Sequence, residues 1–143
     1  MANLLTNPEN LAGWSVVGTT SVNSNVATAP DGTATADRIV DDNSGGTGNV
    51  FIRQVPIVLN NTAYHYAMFF QAEGLDWVTM RFTSHGSKNI FQSFNLAAVA
   101  VGTPGSDVDS SAIENYGGGY YRCRLSFTSD AVDTNGQAQI FLC

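Results

Sequence analysis

The chain has 143 residues and a formal net charge of −6, and only 13% of its residues are charged. That length suits one domain with a single core. The acidic balance excludes a nucleic-acid binder, whose affinity rests on Lys and Arg at phosphates, and it excludes attraction to an anionic membrane surface. The longest purely apolar run, residues 96–101, is far too short to span a bilayer.

At the amino terminus, residues 1–6 have neither a basic segment nor a long apolar stretch, so no secretory signal is expected. Leu4-Leu5 is a short apolar start. After the Asn7-Pro8-Glu9-Asn10 turn, Trp14-Ser15-Val16-Val17 reads as extended, and residues 20–28 alternate weakly. Ala29-Pro30-Asp31-Gly32 is a β-turn signature, with proline presetting φ and glycine accepting a positive φ after it. Residues 36–40 resume the extended pattern, 41–48 form a polar glycine-rich loop, and 49–58 are extended again. The strands 62–72 and 75–84 follow, joined tightly at Glu73-Gly74, and 89–96 makes another. Beyond a loop at 103–111 come a short strand at 112–115, the Gly117-Gly118-Gly119 turn into 120–127, and a terminal strand at 137–143. No segment keeps a 3.6-residue apolar repeat. Roughly ten short strands between turn signals predict an all-β fold, a two-sheet antiparallel β-sandwich of the jelly-roll kind, as a single domain over 1–143.

Side chains alternate along a strand, so each strand can be read face by face. In 120–127, Tyr121, Cys123, Leu125 and Phe127 form a packing face, leaving Tyr120, Arg122, Arg124 and Ser126 opposite. In 75–84, Asp76, Val78, Met80 and Phe82 share one face, with Trp77, Thr79, Arg81 and Thr83 opposite. In 62–72 the core face is Tyr64, Tyr66, Met68 and Phe70, and the other is His65, Phe69 and Gln71. In 89–96, Ile90, Phe94 and Leu96 oppose Phe91, Ser93 and Asn95, and Phe51 and Arg53 oppose Val50 and Ile52. Cys123 is expected as a small buried hydrophobe. Cys143 points the other way from the inward residues of its strand, so no disulfide is expected.

The second faces mix aromatic rings, arginine and amides. Rings stack on the apolar C–H faces of pyranoses while Arg, Asn, Gln and His bond hydroxyls. The same mixture suits a protein interface, and an ordinary solvated sheet face needs no ligand at all. The candidate ligand-binding residues are Trp77, Arg81, Thr79, His65, Gln71, Phe91, Asn95 and Arg124, centred on Trp77.

Signals for catalysis are absent from the sequence. His65 and His85 are the only histidines, and there is no Cys-x-x-Cys or His-x-x-x-His spacing for zinc. No Gly-x-Ser-x-Gly elbow exists, and most acidic residues fall in loop-like sequence rather than as a convergent pair. The expectation is a protein that is not an enzyme. Asp41, Asp42 and Asn43 cluster in one loop, as do Asp107 and Asp109, and Asp130 and Asp133. Calcium takes six to eight oxygens, but the expected account of these clusters is solvated turn residues.

Asn3-Leu4-Leu5, Trp14, the run from Ala29-Pro30-Asp31-Gly32 to Asp37, residues 64–72, Phe94-Asn95-Leu96, the glycine-rich turn into Tyr120-Tyr121-Arg122-Cys123, and Ala138-Gln139-Ile140 occur in a characteristic order. Taken together they resemble a jelly-roll module of bacteriophage tail and other virion proteins, similar to carbohydrate-binding modules and concanavalin A-like domains. The likeness covers nearly the whole chain, although relatives often carry Trp where this chain has Tyr120. It implies a non-enzymatic capsid-decoration or tail-associated protein of the virion, made in the host cytoplasm. Such a protein attaches to glycans or to other virion proteins, and a homo-oligomer is expected. A carbohydrate-binding module serving a glycan-degrading enzyme system is the alternative. The resemblance also implies a bound Ca2+ in some members, with Glu9 near the position of a metal ligand.

Overall fold

The computed structural model describes residues 5, 9–18, 20–42, 50–83, 88–129 and 132–143. A 3-10 turn, Leu11–Gly13, leads into β1 (Ser15–Val17), β2 (Thr20–Ala27), β3 (Ala36–Asp41), β4 (Phe51–Leu59) and β5 (Ala63–Gln71). The chain continues through β6 (Trp77–Thr83), β7 (Ile90–Asn95), β8 (Ala100–Val101), β9 (Ser110–Gly117), β10 (Tyr120–Thr128) and β11 (Asp133–Leu142). Among the described residues no helix is long and apolar enough to cross a membrane.

All strand pairs are antiparallel. β1-β4-β11-β6-β7-β8 form one sheet, β5-β10-β9 a second, and β2-β3 a separate ribbon. The two larger sheets pack as a β-sandwich. Their inward residues form one core, with Ile52, Met80, Ile90, Phe94 and Ile140 from the first sheet and Tyr66, Cys123, Leu125 and Phe127 from the second. Phe82 and Phe127 stack across the sheets with ring centroids 5.0 Å apart. The β5–β10 pair is nested between the strands of the β4–β11 pair in sequence, the order of a wrapped hairpin. β6 and β7, by contrast, stay adjacent in one sheet. The Glu73-Gly74 connection, with φ of 94° at Gly74, carries the chain from one sheet to the other.

Local chemistry explains the tightest turns. Gly118 and Gly119 connect β9 to β10 as a two-residue loop with φ of 62° and 83°. Two successive positive φ values are what the type I′ hairpin turn requires, and glycine adopts them without Cβ strain. At Ala29-Pro30-Asp31-Gly32 the Gly32 N–H donates to the Ala29 carbonyl at 2.9 Å, and Gly32 has φ of 86°.

Two strand faces depart from simple alternation. Ile52 and Gln54 point inward on β4, but beyond the cis Val55–Pro56 bond the buried residues are Ile57 and Leu59, one position out of phase. The pairing with β11 is irregular over the same stretch. Phe51 lies on the outward face yet is buried, because it stacks on Phe141 with ring centroids 4.4 Å apart. On β7 the fully buried residue between Ile90 and Phe94 is Gln92. Its Nε2 donates to the Ser93 and Gly102 carbonyls at 3.0 and 2.7 Å, and its Oε1 accepts from the Ser111 hydroxyl at 2.8 Å. A polar side chain inside the core thereby links β7 to β9 of the opposite sheet.

Candidate functional site

The β2-β3 ribbon packs Val22 and Ile39 against the core. Asp37 fixes it locally, with one carboxylate oxygen accepting from the Leu11 N–H at 2.7 Å and the other from the Asn25 N–H at 2.9 Å. Across from it, the Tyr120 hydroxyl donates to the Thr28 carbonyl at 2.8 Å. Arg38 and Glu73 form a bidentate pair, two contacts of 2.7 Å. Between ribbon and sandwich lies a groove of about 1010 Å³. Its apolar side includes Ile39, Met68, Phe70, Val78 and Leu96, and Phe69, Tyr116 and Tyr120 also line it. Phe69 and Tyr116 meet edge to face with centroids 4.8 Å apart. Polar groups along the groove include Asp31, Gln71 and Glu73. The Asp31 carboxyl sits below the ordinary aspartate value because it accepts from the Thr33 hydroxyl at 2.6 Å and from the Thr33 N–H at 2.9 Å.

The eight residues expected from the sequence do not form one surface. Trp77, Thr79, Arg81, Phe91 and Asn95 share the outer face of the six-stranded sheet, while His65, Gln71 and Arg124 belong to the outer face of the three-stranded sheet. Several on the first face are occupied structurally. The Thr79 hydroxyl is 2.6 Å from that of Ser93, and the Asn95 Oδ1 accepts from the Ala98 N–H at 2.8 Å. Arg81 stands opposite Phe91 and Gln139. Gln71 and Glu9 line the groove, and Trp77 borders it at the start of β6 while its ring lies beside Gly102 on the outer face of that sheet.

On the second face, Arg122, Arg124, Glu114 and His65 surround a smaller depression of about 190 Å³. Arg124 and His65 are among the residues expected from the sequence, which centres the site on Trp77, but Glu114, Phe69's partner Tyr116 and the pairing of β2 with β3 are not. Glu114 falls in a strand expected to be four residues long that runs instead over Ser110–Gly117. The ribbon's position above the sandwich has no local sequence signal.

Among the described residues, no three His, Cys, Asp or Glu side chains gather as a metal site. Asn43, His85 and Asp130, and the Asp133 side chain, lie outside what is described, as do Asn3, Leu4, Asn7 and Pro8. Both cysteines are free, Cys123 buried and Cys143 exposed. The Cys143 sulfur is 3.4 Å from the Thr79 hydroxyl. No protein-family model matches the chain, and no curated protein matches it.

Proposed function

We propose that the protein is a non-enzymatic attachment module that takes a glycan in the groove between the β2-β3 ribbon and the sandwich. The observation that carries this reading is the groove itself. Its volume of about 1010 Å³ lies at the upper end of the roughly 300–1,000 Å³ usual for ligand sites. It combines aromatic walls with carboxylate and amide groups. Rings of Phe69, Tyr116 and Tyr120 can lie against the C–H faces of sugars, while Gln71 and Asp31 meet hydroxyls. Phe69 and Tyr116 are well exposed, at 41% and 59%.

Placement on a bacteriophage virion, as a jelly-roll decoration or tail-associated protein, rests on the sequence resemblance alone. Several copies on one particle would raise a weak single-site affinity by avidity. A glycan array probed with a multivalent, folded sample tests the reading. Binding should be lost in Phe69→Ala and Tyr116→Ala and retained in Arg81→Ala, which changes the outer face of the other sheet. A folded multivalent sample that binds no glycan sinks the proposal.

A further inference from the structure

Two alanines explain the hollow on the three-stranded sheet. In the sheet register Arg124 lies between Ala67 of β5 and Ala112 of β9. The neighbouring rows carry more bulk, with Phe69, Arg122 and Glu114 on one side and His65, Ser126 and Ser110 on the other. The gap over Arg124 is the depression of about 190 Å³.

Its charges are incompletely matched. Arg122 Nη1 lies 3.4 Å from one Glu114 oxygen, and Arg124 Nε lies 3.4 Å from the other. Charge-assisted bonds of this type are usually about 2.7–2.9 Å, and the Arg38–Glu73 pair reaches 2.7 Å twice. Arg124 Nε is enclosed and makes no hydrogen bond. Two guanidiniums, with five donors apiece, therefore share one carboxylate. Two cations against one anion leave a net positive hollow in a chain whose total charge is −6.

We propose that this hollow binds the carboxylate of an acidic sugar, a uronic or sialic acid, as an extension of the groove. The idea rests on the glycan reading above. A planar guanidinium fork matches a carboxylate in shape and charge. Glu114 remains in the site as a fixed negative charge and disfavours a dianion such as a phosphate monoester. Ala67 and Phe69 connect the two places. Ala67 lines both the hollow and the groove, and Phe69 belongs to the groove wall and to the Arg122 row. A pyranose held against the Phe69–Tyr116 pair has the two arginines beside it.

Calorimetric titration of the full chain with oligogalacturonate and with sialyllactose tests this against neutral galactose oligomers and lactose. The two acidic probes separate a uronic from a sialic ligand. At least one acidic probe should bind about tenfold tighter than its neutral counterpart, the scale of one charged hydrogen bond. Arg124→Gln should abolish that preference while keeping neutral affinity, and Glu114→Gln should tighten acidic binding by removing the internal competitor. Arg122→Gln, in the neighbouring row of the same hollow, provides the measurement if Arg124→Gln does not fold. Equal affinity for acidic and neutral sugars, or a preference that survives both arginine substitutions, overturns the carboxylate site and leaves the groove reading standing. Failure of the folded protein to bind either class overturns both.

Discussion

Gln92 is the point where a single substitution says most about how the two sheets are held together. It is fully buried and makes three hydrogen bonds, to the Ser93 and Gly102 carbonyls and from the Ser111 hydroxyl. Gln92→Met keeps length and approximate volume, so the cost is polar rather than a cavity. Three bonds at about 1 kcal/mol net each are lost, and a stranded Gly102 carbonyl adds about 1–3 kcal/mol. Burial of the methionine returns about 1.5–3 kcal/mol. The net expectation is a loss of about 1–4.5 kcal/mol, centred at about 3, read from urea unfolding, with a melting temperature roughly 6–12 °C lower at that centre for a domain of this size. Ser111→Ala removes one donor and leaves the Gln92 Oε1 unpaired, so a double-mutant cycle should return a coupling of about 1 kcal/mol. Wild-type stability in Gln92→Met, within about 0.5 kcal/mol, would refute the claim that this network fastens β7 to β9.

Gly105 is buried, and a Cβ there would collide with the Asn89 carbonyl oxygen and crowd Phe91. Gly105→Ala should therefore cost about 1–3 kcal/mol in urea unfolding. Val99 has φ of 53°, a left-handed conformation that strains a β-branched residue; Val99→Asn should raise stability by about 1 kcal/mol, measured in the same assay. The Asp107 carboxyl is held below the ordinary aspartate value, first by the Asn89 N–H at 2.8 Å and then by Ser106 and Lys88. Its folded value lies below its unfolded one, so its contribution is complete above about pH 4 and is lost as pH falls through the folded value. Asp107→Asn should flatten the acid limb of the stability–pH curve. Burial pushes the Cys123 thiol up to about 12, so a thiol reagent at pH 8 should modify only Cys143 in the native protein and both cysteines in denaturant.

Much of the fold was legible because the strands alternate. The face of Tyr121, Cys123, Leu125 and Phe127 contains three buried residues and the half-buried Tyr121, and on the face of Asp76, Val78, Met80 and Phe82 only Asp76, ahead of β6, is exposed. Both cases follow from the period of two and strong apolar character on one side only. Gln92 was less legible, since a polar residue on a core face gives no hint of its partners. Ser111 and Gly102, which satisfy it, are distant in the chain or belong to a loop. Phe51 reads correctly as outward, yet its burial depends on Phe141 of a neighbouring strand.

What the sequence determined by itself is the material of the binding surfaces. Strand alternation assigns Trp77 and Arg81 to one face of β6, and Arg122 and Arg124 to one face of β10, because a strand's own geometry decides which side chains share a side. Tertiary structure alone decided which of those faces meet. β5 and β6 are consecutive but lie in different sheets, so His65 and Arg124 are separated from Arg81 and Phe91 by the thickness of the sandwich. Strand pairing brings Glu114 to the arginines and flanks Arg124 with two alanines, and packing of the β2-β3 ribbon encloses the groove. Those arrangements depend on contacts between residues far apart in the chain, which no local periodicity encodes.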